Sequence, residues 1–206
     1  MILKTLYIVR HGQTDLNKQG IVQGRGMDTN LNDDGRLQAN MFYSAYKDVP
    51  FDKIYISELK RTQQSVQQFI DAGLPYEKLS GLDELAWGIH EGQPSTPETK
   101  SAFRKLMQDW TAGRLDEKFE KGESPNEVQV RQKEAMSIIM SRFEEKNVLI
   151  CMHGRAMRLL LCLLTNRPLT EMETFPHQNL VLYKITYDGT RFEIADFNNA
   201  IHLQIH

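Results

Sequence analysis

The chain has 206 residues, and its 25 Lys and Arg against 27 Asp and Glu give a formal charge of −2, which offers no global attraction to nucleic acid or to an anionic membrane. The length suffices for one apolar core and no Pro-, Gly- or Ser-rich tract divides it, so a single domain over residues 1–206 is expected. No apolar run approaches the ~20 residues that span a bilayer; the opening Met1-Ile2-Leu3-Lys4 lacks a signal-peptide pattern, and Cys151 and Cys162 sit among apolar residues as free thiols do, so a cytoplasmic protein is expected.

The run Leu6-Tyr7-Ile8-Val9 reads as a strand buried on both faces that delivers Arg10 and His11 to a sheet edge. Gly12 allows a turn or the close approach of a ligand, and Thr14 and Asn17 add neutral donors, so this corner suits an anion. A single histidine after a strand is also an ordinary structural residue, so the reading needs partners elsewhere in the chain. Lys18 to Asn30, with Gly20, Gly24 and Gly26, reads as a loop over the corner; Gln23 and Arg25 either touch a ligand from it or stay solvated.

Asn32-Asp33-Asp34 offers a helix N-cap, and Leu37, Met41 and Ala45 follow at helical spacing towards an end near Asp48. Ile54-Tyr55-Ile56 is a second strand, and Ser57 is expected to cap a helix through Thr62, Val66, Phe69 and Ile70, with Arg61 on its first turn. After Gly73 and Pro75, Leu82 to Gly92 reads as a shaped loop whose acids Asp83, Glu84 and Glu91 either reach a pocket or are solvated.

Thr96 to Gly113 reads as an amphipathic helix through Phe103, Leu106, Met107 and Trp110, followed by a mobile connection, Arg114 to Glu123. Residues 93–123 then form a lid-like insertion or an ordinary surface helix. Ser124-Pro125-Asn126-Glu127 is a capping box, and Val128, Ala135, Ile138, Ile139 and Phe143 mark the buried stripe of the next helix. A third buried strand, Val148 to Met152, ends at His153-Gly154, where a helix to Leu164 begins. A polar-rich linker leads to a hairpin of Leu180–Tyr187 and Arg191–Phe197 about Asp188-Gly189.

Strands alternating with helices imply a largely parallel sheet, whose ligands sit at the carboxyl ends of strands. All three strands end in candidates: Arg10-His11, Ser57 with Arg61, and His153-Gly154. Their convergence on one edge predicts an anion site. The histidines lack the spacing of a structural zinc site and form no His-Glu-x-x-His helix, so neither metal nor cofactor is called for.

Four motifs in this order resemble those of the histidine phosphatase superfamily, the phosphoglycerate mutase-like proteins. They are Arg10-His11-Gly12 with Thr14 and Asn17, Ser57 to Arg61, Leu82-Asp83-Glu84 with Gly88, Glu91 and Gly92, and His153-Gly154. The resemblance covers nearly the whole chain and implies a three-layer α/β/α sandwich with a mostly parallel central sheet. It also implies His11 as nucleophile, Glu84 as proton donor and then acceptor, and Arg10, Arg61 and His153 around the phosphoryl oxygens, His153 as an imidazolium. Asn17, Gln23, Gly24, Ser57 and Gly154 are candidates for substrate binding.

Mutases of this family carry an Arg-Tyr pair just after the acid, where this chain has Leu85-Ala86-Trp87. The expected function is therefore hydrolysis of a small phosphorylated metabolite, with a mutase or a non-catalytic phospho-ligand binder as alternatives. Arg155 departs from the small residue of the family and either serves substrate choice or faces solvent. Helical faces do not show which patches are shared between copies, so a monomer and a homodimer are alternatives.

Overall fold

Period-two alternation along the strands sends side chains to two apolar layers, one on each face of a single sheet. The computed structural model describes residues 1 and 3–204. The strands are β1 (Lys4–Arg10), β2 (Lys53–Ile56), β3 (Tyr76–Lys78), β4 (Asn147–Met152), β5 (Leu182–Tyr187) and β6 (Phe192–Asn199). The helices are α1 (Asp15–Lys18), α2 (Asp33–Tyr46), α3 (Lys60–Asp71), α4 (Pro97–Thr111), α5 (Pro125–Ser141) and α6 (Gly154–Leu164). The sheet order is β3-β2-β4-β1-β5-β6, parallel from β3 to β1 and antiparallel in the last two strands.

Leu6, Ile8, Tyr55, Val148, Ile150 and Met152 pack on one face against Val128 and Ile139 of α5 and Leu159 and Leu160 of α6. Their chain neighbours Tyr7, Val9, Ile54, Ile56, Leu149 and Cys151 face the other way, onto Phe42 of α2 and Val66 and Phe69 of α3. This is the three-layer α/β/α sandwich with a mostly parallel sheet. Register places Arg10 beside Met152 and Ile56 beside Cys151, so β1, β2 and β4 stop nearly level. His11, Ser57 and His153, each the residue after a strand, are thereby brought to one edge. Among the described residues no helix is long and apolar enough to cross a membrane.

Several local expectations are corrected. The buried stripe of α2 is Gly35, Ala39 and Phe42, whereas Leu37 is 50% exposed. An adjacent stripe at the same 3.6 spacing is chosen because Gly35 meets the β1 corner: a Cβ on Gly12 would lie 2.7 Å from the Gly35 carbonyl oxygen. The freedom of Gly12 thus admits a neighbouring backbone. Ser57 does not cap α3, which starts at Lys60 with its first amide donating to Asp28 Oδ1 at 2.7 Å. Ile138 of α5 and Phe143, which lies beyond the helix end at Ser141, are exposed, and Gln132 and Met136 join the buried stripe of α5.

Among the elements not anticipated are α1 and β3. α1 is a single turn held by a capping box between Thr14 and Asn17, and β3 is an edge strand of three residues. Residues 114–123 are also anchored where a mobile connection was expected. Trp110 Nε1 donates to the Glu117 carbonyl at 2.8 Å, Ile89 N to that of Glu120 at 3.1 Å, and Glu123 N to that of Ala86 at 2.8 Å. A charged composition cannot reveal that backbone groups of another loop will take up those of this one.

The reassigned face of α2 has a measurable consequence. Phe42→Ala is expected to lower the unfolding free energy by about 3–5 kcal/mol in urea titrations. Leu37→Ala should change it by less than about 0.5 kcal/mol. Comparable losses would restore the Leu37 stripe.

Candidate active site

His11 follows β1 and is 3% exposed. Its Nδ1–H donates to the Gly12 carbonyl at 2.7 Å, which leaves the lone pair on Nε2. Burial, reinforced by Arg61 and Arg10, holds the ring well below the ordinary histidine range, so it is a neutral base with a fixed tautomer. Its main chain is tied as well: His11 N donates to Met152 O at 2.9 Å, and His11 O accepts from Asn179 Nδ2 at 2.9 Å.

His153 follows β4 and is fully buried, with its ring centroid 5.1 Å from that of His11. Arg61 Nε donates to its Nδ1 at 3.2 Å, so its Nε2–H donates to Ser57 Oγ at 2.7 Å. Burial and then the Arg61 charge push its pKa well down. Desolvation and two cations thus oppose a third positive charge on this ring, whereas the imidazolium expected from the sequence is one with a phosphoryl group beside it. Ser57, fully buried and bonded also to Thr62 Oγ1 at 3.0 Å, orients His153.

Arg61 projects from the first turn of α3 and is fully buried. Its guanidinium also donates to the carbonyls of Met27 at 2.5 Å and Gly24 at 3.4 Å, so the glycine-rich loop holds it with dipoles. Arg10 Nη1 donates to His177 Nδ1 at 3.0 Å, while its buried Nε has no partner. Burial pushes Arg10 down to about 10, against the pull of Glu84. An unmet guanidinium donor beside a second buried arginine is an arrangement that an anion would satisfy.

Three acids competed for the loop after β3, and the structure separates them. Asp83 accepts from Glu58 N at 2.9 Å and from Arg25 Nε at 3.0 Å. Glu91 accepts from Trp87 N at 2.9 Å and lies against Gly24 and Gly26. Both brace loops. Glu84 is the acid whose charge acts on both Arg10 and Arg61, its Oε1 accepting from Leu85 N at 2.9 Å and Ala156 N at 2.8 Å, and its Oε2 from Arg155 N at 3.1 Å. The first amides of α6 thus face a carboxylate of the protein itself.

The backbone under Glu84 hangs on Arg131 of α5. This side chain donates to the carbonyls of Gly81, Asp83 and Glu84 at 3.0, 2.9 and 3.0 Å and to both oxygens of Glu123 at 3.0 Å. Arg131 was not singled out from the sequence, nor were His177 and Asn179. Nothing in the spacing of an arginine inside a helix, or of polar residues in a linker, distinguishes them.

Of the remaining candidates, Asn17 accepts through Oδ1 from Thr14 N and Asn179 Nδ2, which keeps its amide NH2 as the remaining donor. Gln23 has both ends engaged within the loop, donating to Thr14 Oγ1 at 2.6 Å and accepting from Thr29 Oγ1 at 2.5 Å. Gly24 has no room for a Cβ because Glu91 Oε1 would lie 1.8 Å from it. At Gly154 a Cβ would meet the His177 ring at 2.8 Å, so the missing side chain lets that imidazole reach Arg10. Arg155 neither faces solvent nor stands free: it pairs with Glu173 and lies over Trp87 and Trp110. Among the described residues no group of three or more His, Cys, Asp or Glu side chains is placed to hold a metal ion.

The family model described as "Histidine phosphatase superfamily (branch 1)" matches residues 6–200. The chain is 28% identical over 199 residues to "Uncharacterized phosphatase PhoE" of Bacillus subtilis, covering 95% of each protein. It is 30% identical over 186 residues to "Probable phosphoglycerate mutase GpmB" of Yersinia pestis, covering 88% of this chain and 84% of that one. Among solved structures, "Bacillus stearothermophilus YhfR" is similar with a TM-score of 0.84 at 27% identity, over 98% of this chain and 100% of that one.

The buried imidazoles fix a pH dependence. His11 and His153 are held well below the ordinary histidine value and His177 at about 3, in each case first by burial and then by the arginines. Unfolding returns them to about 6.5, so below that pH the unfolded chain binds more protons than the native one. Stability should be complete above about pH 6.5 and fall as the pH drops towards 5. His177→Gln, whose amide oxygen can still accept from Arg10, should flatten that fall by about one proton in denaturant titrations. A flat profile in the parent protein would contradict neutral buried rings.

Proposed function

The chain belongs to the histidine phosphatase superfamily, and on that premise we propose that it hydrolyses a small phosphorylated metabolite, a phosphate monoester, through a phosphohistidine at His11. The observation that carries this reading is the pairing of His11, neutral with its Nε2 lone pair free by tautomer, with Arg10, whose buried Nε has no partner. A nucleophile and a cation in want of an anion stand at the end of the same strand.

In the first half-reaction Nε2 of His11 attacks phosphorus in line and the ester P–O bond breaks. The departing oxygen takes its proton from the carboxyl group of Glu84. In the second, water attacks the phosphohistidine, the P–N bond breaks, and the Glu84 carboxylate takes the water proton as phosphate forms. Phosphoryl transfer needs positioning and charge stabilisation above all, and Arg10 and Arg61 supply the charge. The phosphate dianion brings negative charge beside His153, which favours protonation of that ring in the complex. Asn17 is the candidate for a further neutral donor through its free amide NH2.

Hydrolysis is preferred to mutase chemistry because Leu85 and Trp87, 1% and 7% exposed, are turned into the core where mutases of the family hold an Arg-Tyr pair. This segment therefore provides no cation for a second acidic group. Residues 93–123 serve in this reading as cover for the leaving-group side, since Trp110 of α4 stacks with Trp87 next to the Glu84 loop at a centroid distance of 5.9 Å.

The role of Glu84 is tested by the leaving group. An alkyl phosphate must expel a strongly basic alkoxide, whereas p-nitrophenyl phosphate expels an anion that is stable near neutral pH. Glu84→Gln should slow single-turnover phosphoenzyme formation from alkyl esters by ~10²–10⁴-fold and from p-nitrophenyl phosphate far less. Equal slowing of both would reduce Glu84 to a positioning group. A selective effect in Asp83→Asn or Glu91→Gln instead would move the proton to that residue.

A further inference from the structure

A second cluster of charge lies against the site without taking part in the steps above. Arg155 and Arg158, one turn apart on α6, both pair with Glu173, which gives one carboxylate oxygen to each. The two arginine side chains are only 13% and 14% exposed, and Glu173 is 45% exposed. Burial works against the charge on Glu173, but Arg155 and Arg158 outweigh it and hold its carboxyl below the ordinary carboxylate range.

This cluster adjoins the leaving-group side. The backbone amide of Arg155 donates to Glu84 Oε2, the carboxyl group proposed to protonate the departing oxygen. The Arg155 guanidinium lies 5.7 and 5.9 Å from the ring centroids of Trp110 and Trp87, under α4. Arg158 is fixed from the other side, its Nε donating to Phe175 O at 2.8 Å. His177, which holds Arg10, sits near enough to feel the charges of both arginines.

Two largely desolvated guanidinium groups with converging donors form a seat for a carboxylate. The chain fills that seat itself. A tethered carboxylate competes at an effective concentration that a free metabolite does not reach. A substrate whose departing part bears an acid must displace Glu173 or meet its negative charge. An uncharged departing group meets neither cost.

We propose that Glu173 is a specificity-determining residue, a built-in carboxylate that occupies the two-arginine seat and so selects phosphate monoesters with uncharged leaving groups over those whose leaving group carries a carboxylate. This rests on the phosphatase reading above for its catalytic consequence, though its binding consequence does not require turnover.

Glycerol 3-phosphate and 3-phosphoglycerate share a carbon skeleton and differ in a hydroxymethyl group against a carboxylate, so they isolate this feature. In the parent protein kcat/KM should favour glycerol 3-phosphate. Glu173→Gln should shift the ratio about 10- to 100-fold towards 3-phosphoglycerate, the size of a gained charge-assisted contact, with turnover of p-nitrophenyl phosphate little changed. Arg155→Gln, which leaves Glu173 a single arginine, should shift it the opposite way and serves if Glu173→Gln does not fold. An unchanged ratio in a folded variant would overturn the proposal. Calorimetric binding of the same two esters keeps the two readings apart: if no ester is hydrolysed the phosphatase reading fails, while tighter binding of 3-phosphoglycerate alone by Glu173→Gln would still support the role of Glu173, and equal binding would end it.

Discussion

Positive charge held away from water at the end of β1 and beyond that of β2, on Arg10 and Arg61, is the constraint on which the rest of the site depends. Arg10 and Arg61 are both pushed towards the neutral form by burial, and the two imidazoles between them are held neutral by the same cause. Removing a guanidinium group from water is costly unless its donors are met. Arg61 meets that demand with backbone carbonyls of the glycine-rich loop and with His153, whereas Arg10 has His177 and an unmet Nε. An anion with several oxygens, such as a phosphoryl group, can satisfy both forks at once.

The surrounding chain serves to keep that arrangement in place. Level strand ends fix where His11 and His153 stand, and the Gly12–Gly35 contact and the missing side chain of Gly154 let α2 and His177 close in. Arg131 holds the Glu84 loop by its carbonyls and Asp83 and Glu91 hold the neighbouring loops, so the Glu84 carboxylate is positioned by charges that do not touch it. The amides of α6 would bind an anion if they were open, yet they bind Glu84. The N-terminal dipole of this helix thus orients the proposed proton carrier and leaves the phosphate to the arginines.

The parallel sheet and the motif-bearing strand ends were legible because buried runs such as Val148 to Met152 and capping boxes such as that at Ser124 are local signals. The stripe of α2 was misread because Leu37-Met41-Ala45 and Ala39-Phe42 obey the same period, and only the contact with Gly12 decides between them. Ser57 looked like a cap because serine before a helix usually is one; its hydroxyl is taken by His153, 96 positions along the chain. Arg131, His177 and Asn179 were invisible for the same reason, since each is defined by partners that the fold brings from elsewhere. The charge of His153 is likewise not readable from the motif, which carries residue types, whereas burial, the nearby arginines and any anion beside the ring set it.

The central claim is that His11 forms a covalent bond to phosphorus. It is tested most directly by mixing the protein with a phosphate ester labelled on phosphorus, quenching within one turnover and locating the label by peptide mapping. Label on His11 that survives base and is lost in acid, as a phosphoramidate is, and that is absent from His11→Ala, is the predicted result. Label on another residue, or full turnover by His11→Ala, would contradict it.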